Sequence, residues 1–519
     1  MIRWRPDRVF PVALLSGLAL ALAFPRFDVG FLAWFALAPL FAVMERRPFG
    51  AGFAAGTAFF GVILYWVNIV MTTYGGMHPF FSGVAYLLLV FYLALYFGAT
   101  TWLCCRLRRL SGIPFWFSLP AIWIAAEYLR SLLLSGFPWA SLGYSQHNEP
   151  HLLQSADLFG VYGIGFLVVF FNAALASAWR GWREKSGFSR ALRPLLLALI
   201  LVAAAGGYGR CRLSRPLDER PRQLSVVLVQ GNVDQSIKWD PTVKQATVAR
   251  YRQLSLAAAG AGETDLIVWP ESATPFYFDF REPLLKEVMA IPPETDAQLL
   301  FGAPAYEFKE GGVRYLNSAF LLSRKGEVLG RSDKIHLVPF GEYNPLERVL
   351  PFLGKLVQGV GDFSPGVLKP LPLEAGTGGV LVCFEAIFPE IARDYVRLGC
   401  GLLINITNDA WFGRSSAPYQ HLAMTRFRAV ENRVWVVRAA NTGISAVIAP
   451  SGRITEATGL FETATLRSKV GFGVHPTFYN GTGDLIPLLL LGCSLLVWAG
   501  VEWRARHQKA GPGRGAESG

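Results

Sequence analysis

The chain has 519 residues, of which 52% are hydrophobic and only 17% charged, and its mean hydropathy is +0.34. These values exclude an ordinary soluble enzyme of this length and predict segments that span a membrane. The formal net charge is +12. The basic residues lie beside apolar segments and do not form one patch, which indicates contact with anionic lipid headgroups and argues against binding to nucleic acid.

Apolar stretches of membrane-spanning length fill the first 210 residues. Each can cover much or all of the hydrocarbon layer as a helix. Seven occur there and an eighth lies near the C-terminus: residues 9–25, 29–44, 51–71, 82–104, 114–133, 158–178, 194–208 and 484–502. The sequence therefore predicts an α-helical membrane bundle of about eight transmembrane helices.

Lysine and arginine residues in the short loops predict how these helices are oriented. Basic clusters precede the first span and follow the second, fourth, sixth and eighth spans. If the spans alternate, all of these clusters lie on one side of the membrane, which is then the cytoplasmic side. We expect a multi-pass protein of the cell inner membrane with both termini in the cytoplasm and the long insert before the last span in the periplasm.

That insert has the pattern of a layered α/β domain. Apolar runs of strand length alternate with helical stretches such as residues 243–260. The runs are residues 224–230, 264–270, 297–304, 378–384 and 401–407. We predict an N-terminal transmembrane domain at 1–208, a periplasmic α/β domain at 209–483, a C-terminal transmembrane helix at 484–503 and a disordered cytoplasmic tail at 504–519.

Three segments at the ends of predicted strands carry residues suited to covalent catalysis. They are WPESATP with Glu271, SDKIHLVPFGEYNP with Lys334 and Glu342, and GVLVCFEAIFPE with Cys383 and Glu385. Taken singly, a buried cysteine is usually a small hydrophobe and a lone charged residue is usually solvated. Together they supply a base, a cation and a nucleophile. Glu271 would take the proton of the Cys383 thiol, and Lys334 would stabilise the anion formed when a carbonyl is attacked.

These segments resemble the motifs of the nitrilase superfamily, whose catalytic triad is Glu, Lys and Cys in this chain order. With the spans and the segments QGNVDQSIKWD, GFPWASLGYSQ, NDAWFGRSSAPYQHL and RAVENRVWVVRAANTGISAVI, they resemble the membrane branch of that superfamily, the apolipoprotein N-acyltransferases. The resemblance covers nearly the whole chain. It implies an αββα sandwich of the nitrilase (CN hydrolase) type attached to a bundle of membrane helices.

The resemblance also implies a ping-pong reaction. Cys383 would accept a fatty acyl group from a phospholipid, with phosphatidylethanolamine as the expected donor, and hold it as a thioester. The α-amino group of the diacylglyceryl-modified N-terminal cysteine of an apolipoprotein would then take it as an amide, which completes lipoprotein maturation. We expect these lipids and the bilayer as partners, a monomeric enzyme, and neither a metal nor an organic cofactor.

Five further residues are expected to support the reaction. The resemblance implies that the acidic residues Glu342 and Glu385 orient Lys334 or the thiol. It also implies that Trp239 contacts substrate and that Phe384, the residue after the nucleophile, stacks against lipid. Trp411 lies in a predicted flap. Phe384 stands where the family often has tyrosine, so no hydroxyl is available there. The loops expected to act as flaps at the membrane surface are residues 275–280, 351–363 and 410–419.

Two alternative functions share parts of this pattern. A membrane-anchored amidase of the nitrilase type would use the same triad with water as acceptor, although an anchor needs only one helix. A transporter or receptor would use the external domain for binding alone, but few polar residues interrupt the spans and no matching pair of broken helices marks a midplane site.

Overall fold

The computed structural model describes residues 8–184, 188–215, 222–279, 281–309, 312–343 and 363–509. These residues form an N-terminal helical region, two six-stranded sheets with their helices, and a last long helix. The helical region comprises α1 Val9–Ala21, α2 Ala33–Ala36, α3 Ala38–Val43, α4 Pro48–Ile63, α5 Trp66–Ile69, α6 Pro79–Ser111, α7 Phe115–Arg130, α8 Pro150–Leu153, α9 Ala156–Glu184 and α10 Phe188–Leu213.

Several of these helices are long and apolar enough to cross a membrane. Within the described residues they are α6, α9, the part Leu192–Leu213 of α10, and Leu485–His507 near the C-terminus. Helix α4 and the segment Trp66–Tyr74 form a pair bent by 50°, which makes a fifth candidate if it counts as one span. The expectation of several apolar membrane helices is confirmed, whereas the number eight is not.

The predicted span at 29–44 shows why the count differs. This segment does not form one helix: it contains a 3₁₀ turn at Gly30–Leu32 and the short helices α2 and α3. The backbone N–H groups of Leu37 and Ala38, at the break between α2 and α3, both donate to Oδ1 of Asn172 on α9 at 2.9 Å. Pro39 is the second residue of α3, where proline is tolerated because the first N–H groups of a helix have no partner within it.

The strands form two sheets. Their strands are β1 Arg222–Gln230, β2 Leu266–Val268, β3 Gln298–Lys309, β4 Gly312–Leu322, β5 Val328–Asp333, β6 Leu371–Leu373, β7 Gly376–Val382, β8 Cys400–Thr407, β9 Trp435–Ala440, β10 Ala446–Ile448, β11 Ile454–Ala457 and β12 Ala464–Phe472. The first sheet has the order β12-β1-β2-β3-β4-β5 and the second β11-β10-β9-β8-β7-β6. The pairs β1/β2, β2/β3, β7/β8 and β8/β9 are parallel.

The two sheets pack face to face and share one apolar core. Val226 and Val268 of the first sheet lie in the same buried cluster as Ile404 and Val437 of the second. The outer faces are covered by helices, as in the expected αββα sandwich. Helices α11 Lys244–Gly260 and α12 Pro283–Thr295 cover the first sheet, and α13 Pro389–Arg397 and α14 Ala417–Asn432 cover the second. After the last strand the chain continues into α15 Phe478–Thr482 and α16 Leu485–Lys509.

Helix α14 also joins the sheets to the helical region through buried polar contacts. The guanidinium group of Arg433, just after α14, donates to Oδ2 of Asp157 on α9 at 2.7 Å. Gln420 on α14 accepts a hydrogen bond from the indole N–H of Trp139 at 2.7 Å. All four residues are almost fully buried, so separating the two regions would leave unpaired polar groups at considerable cost.

Candidate active site

The three residues predicted for catalysis lie at strand ends where the two sheets meet. Glu271 comes shortly after β2, while Lys334 and Cys383 directly follow β5 and β7. A hydrogen bond of 2.9 Å from the backbone N–H of Asn408, after β8, to Oε2 of Glu271 connects the two sheets at this point. All three predicted side chains are buried, with exposed fractions of 6% for Glu271, 1% for Lys334 and 8% for Cys383.

The side chain of Lys334 lies between two carboxylates. Its Nζ is 2.9 Å from Oε1 of Glu342 and 3.6 Å from Oε1 of Glu271. The side-chain amide of Asn317, on β4, donates to the same two oxygens at 3.0 and 2.8 Å. Burial alone would lower the pKa of Lys334, but the charges of Glu342 and Glu271 outweigh it and hold that pKa above its usual value. Lys334 is therefore a protonated cation fixed in place.

Cys383 has a left-handed backbone conformation, with φ of 55°. Residues other than glycine rarely adopt it, and such positions cluster at active sites. Burial raises the pKa of the Cys383 thiol and the charge of Glu271 raises it further, against the opposing effects of Lys334 and of a hydrogen bond with Thr407. The resting group is thus a neutral thiol, which needs a base before it can attack a carbonyl carbon.

Glu385 connects the loop of Lys334 with the loop of Cys383. Its Oε1 accepts hydrogen bonds from the backbone N–H groups of Ile335 at 2.5 Å and His336 at 3.0 Å, and its Oε2 accepts one from Val382 at 2.6 Å. Burial raises the pKa of Glu385 to about 7, although these N–H groups favour the ionised form. One carboxylate therefore fixes the backbone on both sides of the site.

A buried polar cluster holds the Cys383 loop from behind. Nε2 of His421 is 3.1 Å from the carbonyl oxygen of Cys383, and its Nδ1 is 3.1 Å from Oδ1 of Asp409. Arg438 on β9 donates to Oδ2 of Asp409 at 2.6 Å. Burial by itself would raise the pKa of Asp409, but Arg438 and His421 hold it well below its usual range. The cluster is a fixed anchor for the strained backbone.

The three aromatic residues expected to bind substrate occupy different places. Phe384 is buried, with its ring centroid 6.4 Å from that of Trp139 in the helical region. The Trp411 ring lies 5.7 Å from the Tyr74 ring at the end of the bent helix pair. Trp239 is 41% exposed. The structure therefore brings Phe384 and Trp411 against the helical region but does not group the three rings.

Several polar residues of the site were not predicted from the sequence. Asn317 pairs with both carboxylates, and Asn408 donates its backbone N–H to Glu271. Lys238, 1% exposed, donates from Nζ to the carbonyl oxygen of Glu271 at 3.4 Å. A signal was present in each case, because Asn317 interrupts an apolar strand and the other two lie in segments already noted, NDAWFG and QSIKWD.

Other sequence-based expectations concern metals, thiols and flaps. Among the described residues, no group of three or more His, Cys, Asp or Glu side chains is placed to hold a metal ion, and all six cysteines are free. Residues 351–362 and 280 of the predicted flaps, and residues 510–519 of the predicted tail, lie outside the described residues.

Comparisons with known proteins match both regions of the chain. The family model described as the apolipoprotein N-acyltransferase N-terminal domain matches residues 16–174, and the one described as carbon-nitrogen hydrolase matches residues 226–471. A protein of Geobacter metallireducens named apolipoprotein N-acyltransferase is 48% identical over 487 residues, which cover 92% of each chain. A protein of the same name from Methylococcus capsulatus is 34% identical over 517 residues, covering 98% of this chain and 99% of that protein. Similarity of this extent, across the helical region and the sheets alike, shows that the chain belongs to the apolipoprotein N-acyltransferase family.

Proposed function

We propose that this chain is an acyltransferase of lipoprotein maturation. It transfers a fatty acyl group from a membrane phospholipid to the α-amino group of the diacylglyceryl-modified N-terminal cysteine of an apolipoprotein. The observation that carries the proposal is the buried Lys334 between Glu271 and Glu342, near the strained Cys383, in a chain whose two regions match this family.

In the first half-reaction, the sulfur of Cys383 attacks the carbonyl carbon of a phospholipid ester. Glu271 accepts the thiol proton, which is needed because the buried thiol is neutral at rest. The ammonium group of Lys334 stabilises the negative charge on the carbonyl oxygen. When the ester C–O bond breaks, Glu271 returns the proton to the leaving glycerol oxygen. The products are a lysophospholipid and a thioester on Cys383.

In the second half-reaction, the α-amino nitrogen of the apolipoprotein attacks the thioester carbon. Glu271 takes a proton from the attacking nitrogen while Lys334 again stabilises the oxyanion, and as the C–S bond breaks the sulfur of Cys383 receives that proton from Glu271. A thioester suits this step because it is more reactive toward an amine than the ester from which it came. The product is the amide-linked, mature lipoprotein.

The supporting residues act through these three. Glu342 holds Lys334 by a contact of 2.9 Å, and Glu385 fixes the loops that carry Lys334 and Cys383. Phe384, packed against the helical region, is proposed to contact the acyl chain beside the nucleophile. The remaining substrate contacts are assigned to Trp239 and Trp411.

The membrane arrangement is part of the proposal. It has eight spans, with 1–208 as transmembrane domain, 209–483 as periplasmic catalytic domain, 484–503 as last span and 504–519 as cytoplasmic tail. It is supported by the apolar helices described above and by the basic loops on one side. The enzyme acts as a monomer in the cell inner membrane, with phosphatidylethanolamine as donor. Protease added to spheroplasts should cleave between residues 209 and 483 and spare both termini.

A membrane-anchored amidase would need the same triad but not a helical region that contacts the nucleophile loop.

The deciding experiment is intact-mass spectrometry of the purified protein incubated with phosphatidylethanolamine, with Cys383→Ala as matched control. We expect an added fatty acyl mass on Cys383 that leaves when a diacylglyceryl lipopeptide is supplied. An adduct that leaves equally fast in water alone would favour the amidase, and the absence of any adduct would refute acyl transfer.

A further inference from the structure

A second lysine, Lys238, is buried beside the proposed base. Its exposed fraction is 1%, as for Lys334, yet its surroundings differ. Lys334 contacts two carboxylates, whereas the hydrogen bond described for Lys238 goes to the backbone carbonyl of Glu271 at 3.4 Å. An ammonium group has three donors, so within the described residues Lys238 has fewer acceptors than its charged form requires. Burying a charge in this way is costly, and the side chain is therefore suited to the uncharged form.

The segment that carries Lys238 is attached to the site through two residues that precede Lys238. The carbonyl oxygen of Val233 accepts a hydrogen bond from Asn441 at 2.8 Å, and Oε1 of Gln235 accepts one from Asn408 at 2.5 Å. Asn408 is also the residue whose backbone N–H binds Glu271. The position of Lys238 is thus linked to the position of the proposed base, and its neighbour Trp239 reaches the surface.

The second half-reaction of the proposed function has one proton more than Glu271 and Cys383 can absorb. An α-amino group is largely an ammonium ion at neutral pH, since its ordinary pKa is about 7.7–8.0. Forming an amide from it removes two protons from the nitrogen. One returns through Glu271 to the sulfur of Cys383 as the C–S bond breaks. The other needs a separate acceptor, because Glu271 must remain ionised for the next cycle.

We propose that Lys238, in its uncharged form, is the base that takes this additional proton from the α-ammonium group of the acceptor. The proton moves from the α-nitrogen to Nζ of Lys238 and is later released to solvent, so the step needs no further reactant. The inference rests on the proposed function, and it assigns Lys238 to aminolysis rather than to formation of the thioester. A water molecule as acceptor would need no such base, because it carries no positive charge.

The electrostatics of the site agree with this role. Burial lowers the pKa of Lys238 to about 8, although the charge of Glu271 opposes the shift. That value is close to the ordinary pKa of an α-amino group, about 7.7–8.0, so the proton transfer is nearly balanced. The charged group facing Lys238 is Glu271, with Lys334 beyond it. The uncharged fraction of Lys238 therefore increases as the pH rises toward and past 8.

The test measures the second half-reaction alone. Acyl-enzyme is prepared from the full-length wild type and from Lys238→Met, freed of phospholipid and mixed with a diacylglyceryl lipopeptide, and loss of the acyl mass from Cys383 is followed against pH. We expect Lys238→Met to deacylate at least about tenfold more slowly near pH 8, where about half of the Lys238 side chains are uncharged, because a positioned base typically contributes about 10²–10⁴-fold. The difference between the two rates should shrink as the pH falls below about 7, where Lys238 of the wild type is itself mostly charged.

Three controls separate this role from a structural one. Hydroxylamine, which is largely uncharged at neutral pH, should deacylate Lys238→Met as fast as wild type and thereby report an intact site. Lys238→Arg keeps the charge but cannot act as a base, so it should be as slow as Lys238→Met. Lys286→Met, which removes an exposed lysine on α12, should match wild type.

The possible results distinguish the inference from the function on which it rests. Wild-type deacylation by Lys238→Met near pH 8, restoration by Lys238→Arg, or failure of Lys238→Met to form the thioester would each overturn the assignment of Lys238. Failure of the wild type to form an acyl adduct at all would instead overturn the proposed function, and the inference with it.

Discussion

In Lys334→Met, an apolar side chain of similar length replaces the cation between Glu271 and Glu342. Nζ of Lys334 lies 3.6 Å from one carboxylate oxygen and 2.9 Å from the other. With an effective dielectric constant of about 20, these separations correspond to attractions of about 5 and about 6 kcal/mol before the costs of burial. The variant leaves two buried carboxylates without this counter-charge, so at least one of them takes up a proton.

Two losses in catalysis follow from that change. The oxyanion loses a donor, which typically costs about 3–4 kcal/mol, or a factor of about 10²–10³ in rate. In the molecules where Glu271 rather than Glu342 takes up the proton, Glu271 can no longer accept the proton of the thiol. We therefore expect formation of the thioester to slow by at least about 10²-fold. The measurement is single-turnover acylation with phosphatidylethanolamine, followed as lysophospholipid released and as acyl mass on Cys383.

A double variant tests the electrostatic reasoning separately from the loss of the donor. In Lys334→Met with Glu342→Gln, one of the two competing carboxylates is gone, so Glu271 regains its charge and part of the rate should return. Lys286→Met, which removes an exposed lysine on α12, serves as the control for removing a lysine. Acylation by Lys334→Met at the wild-type rate would refute the role of Lys334, and a double variant slower than the single one would refute the shared-charge argument.

Three further changes test the neighbours of this cation. Cys383→Ser should lose thioester formation and lysophospholipid release, because an alcohol is far less ionisable than a thiol; wild-type turnover would contradict the nucleophile assignment. Asn317→Leu removes the hydrogen-bond donor shared by Glu271 and Glu342. Leaving these acceptors unpaired should cost about 1–3 kcal/mol and slow acylation by about 5–150-fold. An unchanged acylation rate would show that Asn317 is only structural. Because the folded pKa of Glu385 is raised to about 7, its carboxyl gains a proton as the pH falls through about 7. The rate of acylation should therefore fall as the pH falls through about 7. Over the same range the contribution of Glu385 to stability should increase, because that contribution is lost as the pH rises through the folded pKa. The prediction is contradicted if acylation rate and thermal stability do not change in opposite directions with pH, or if both changes persist in Glu385→Gln.

The strand-end motifs could be predicted because their physical signals are local. WPES and VCFE each lie at the end of an apolar run, whereas SDK follows the mixed segment EVLGR. Each motif contains or precedes a Pro or Gly, which is typical of a strand that ends in a loop. The structure places Glu271, Lys334 and Cys383 after β2, β5 and β7 as expected. Their chemical roles stay predictions, since geometry alone does not test them.

The contacts that assemble the site depend on pairing between distant segments and could not be predicted locally. Asn317 reaches Glu271 and Glu342 because β4 pairs with β5 in the register that sets Ser318 opposite Asp333. Glu385 reaches the N–H of Ile335 because the loops that follow β7 and β5, which belong to different sheets, meet at this hydrogen bond. The alternation of apolar and polar residues within a strand does not reveal which distant strand it pairs with or in which register. The structure does not confirm the count of eight spans for a related reason, because tertiary contacts such as those of Asn172 with Leu37 and Ala38 also decide where a helix breaks.

The helical region forms part of the site as well as connecting it to the membrane. Trp139 is fully buried in that region, and its ring stacks on Phe384 at 6.4 Å and lies tilted against Trp66 at 4.9 Å. Its indole N–H donates to the side chain of Gln420 on α14. The residue next to the nucleophile is thereby covered by aromatic rings that the sheets do not supply. Excluding water near a thioester protects it from hydrolysis, which is the difference between a transferase and an amidase with the same triad. The aromatic rings that the helical region places beside Phe384 therefore support the proposed amine acceptor over water.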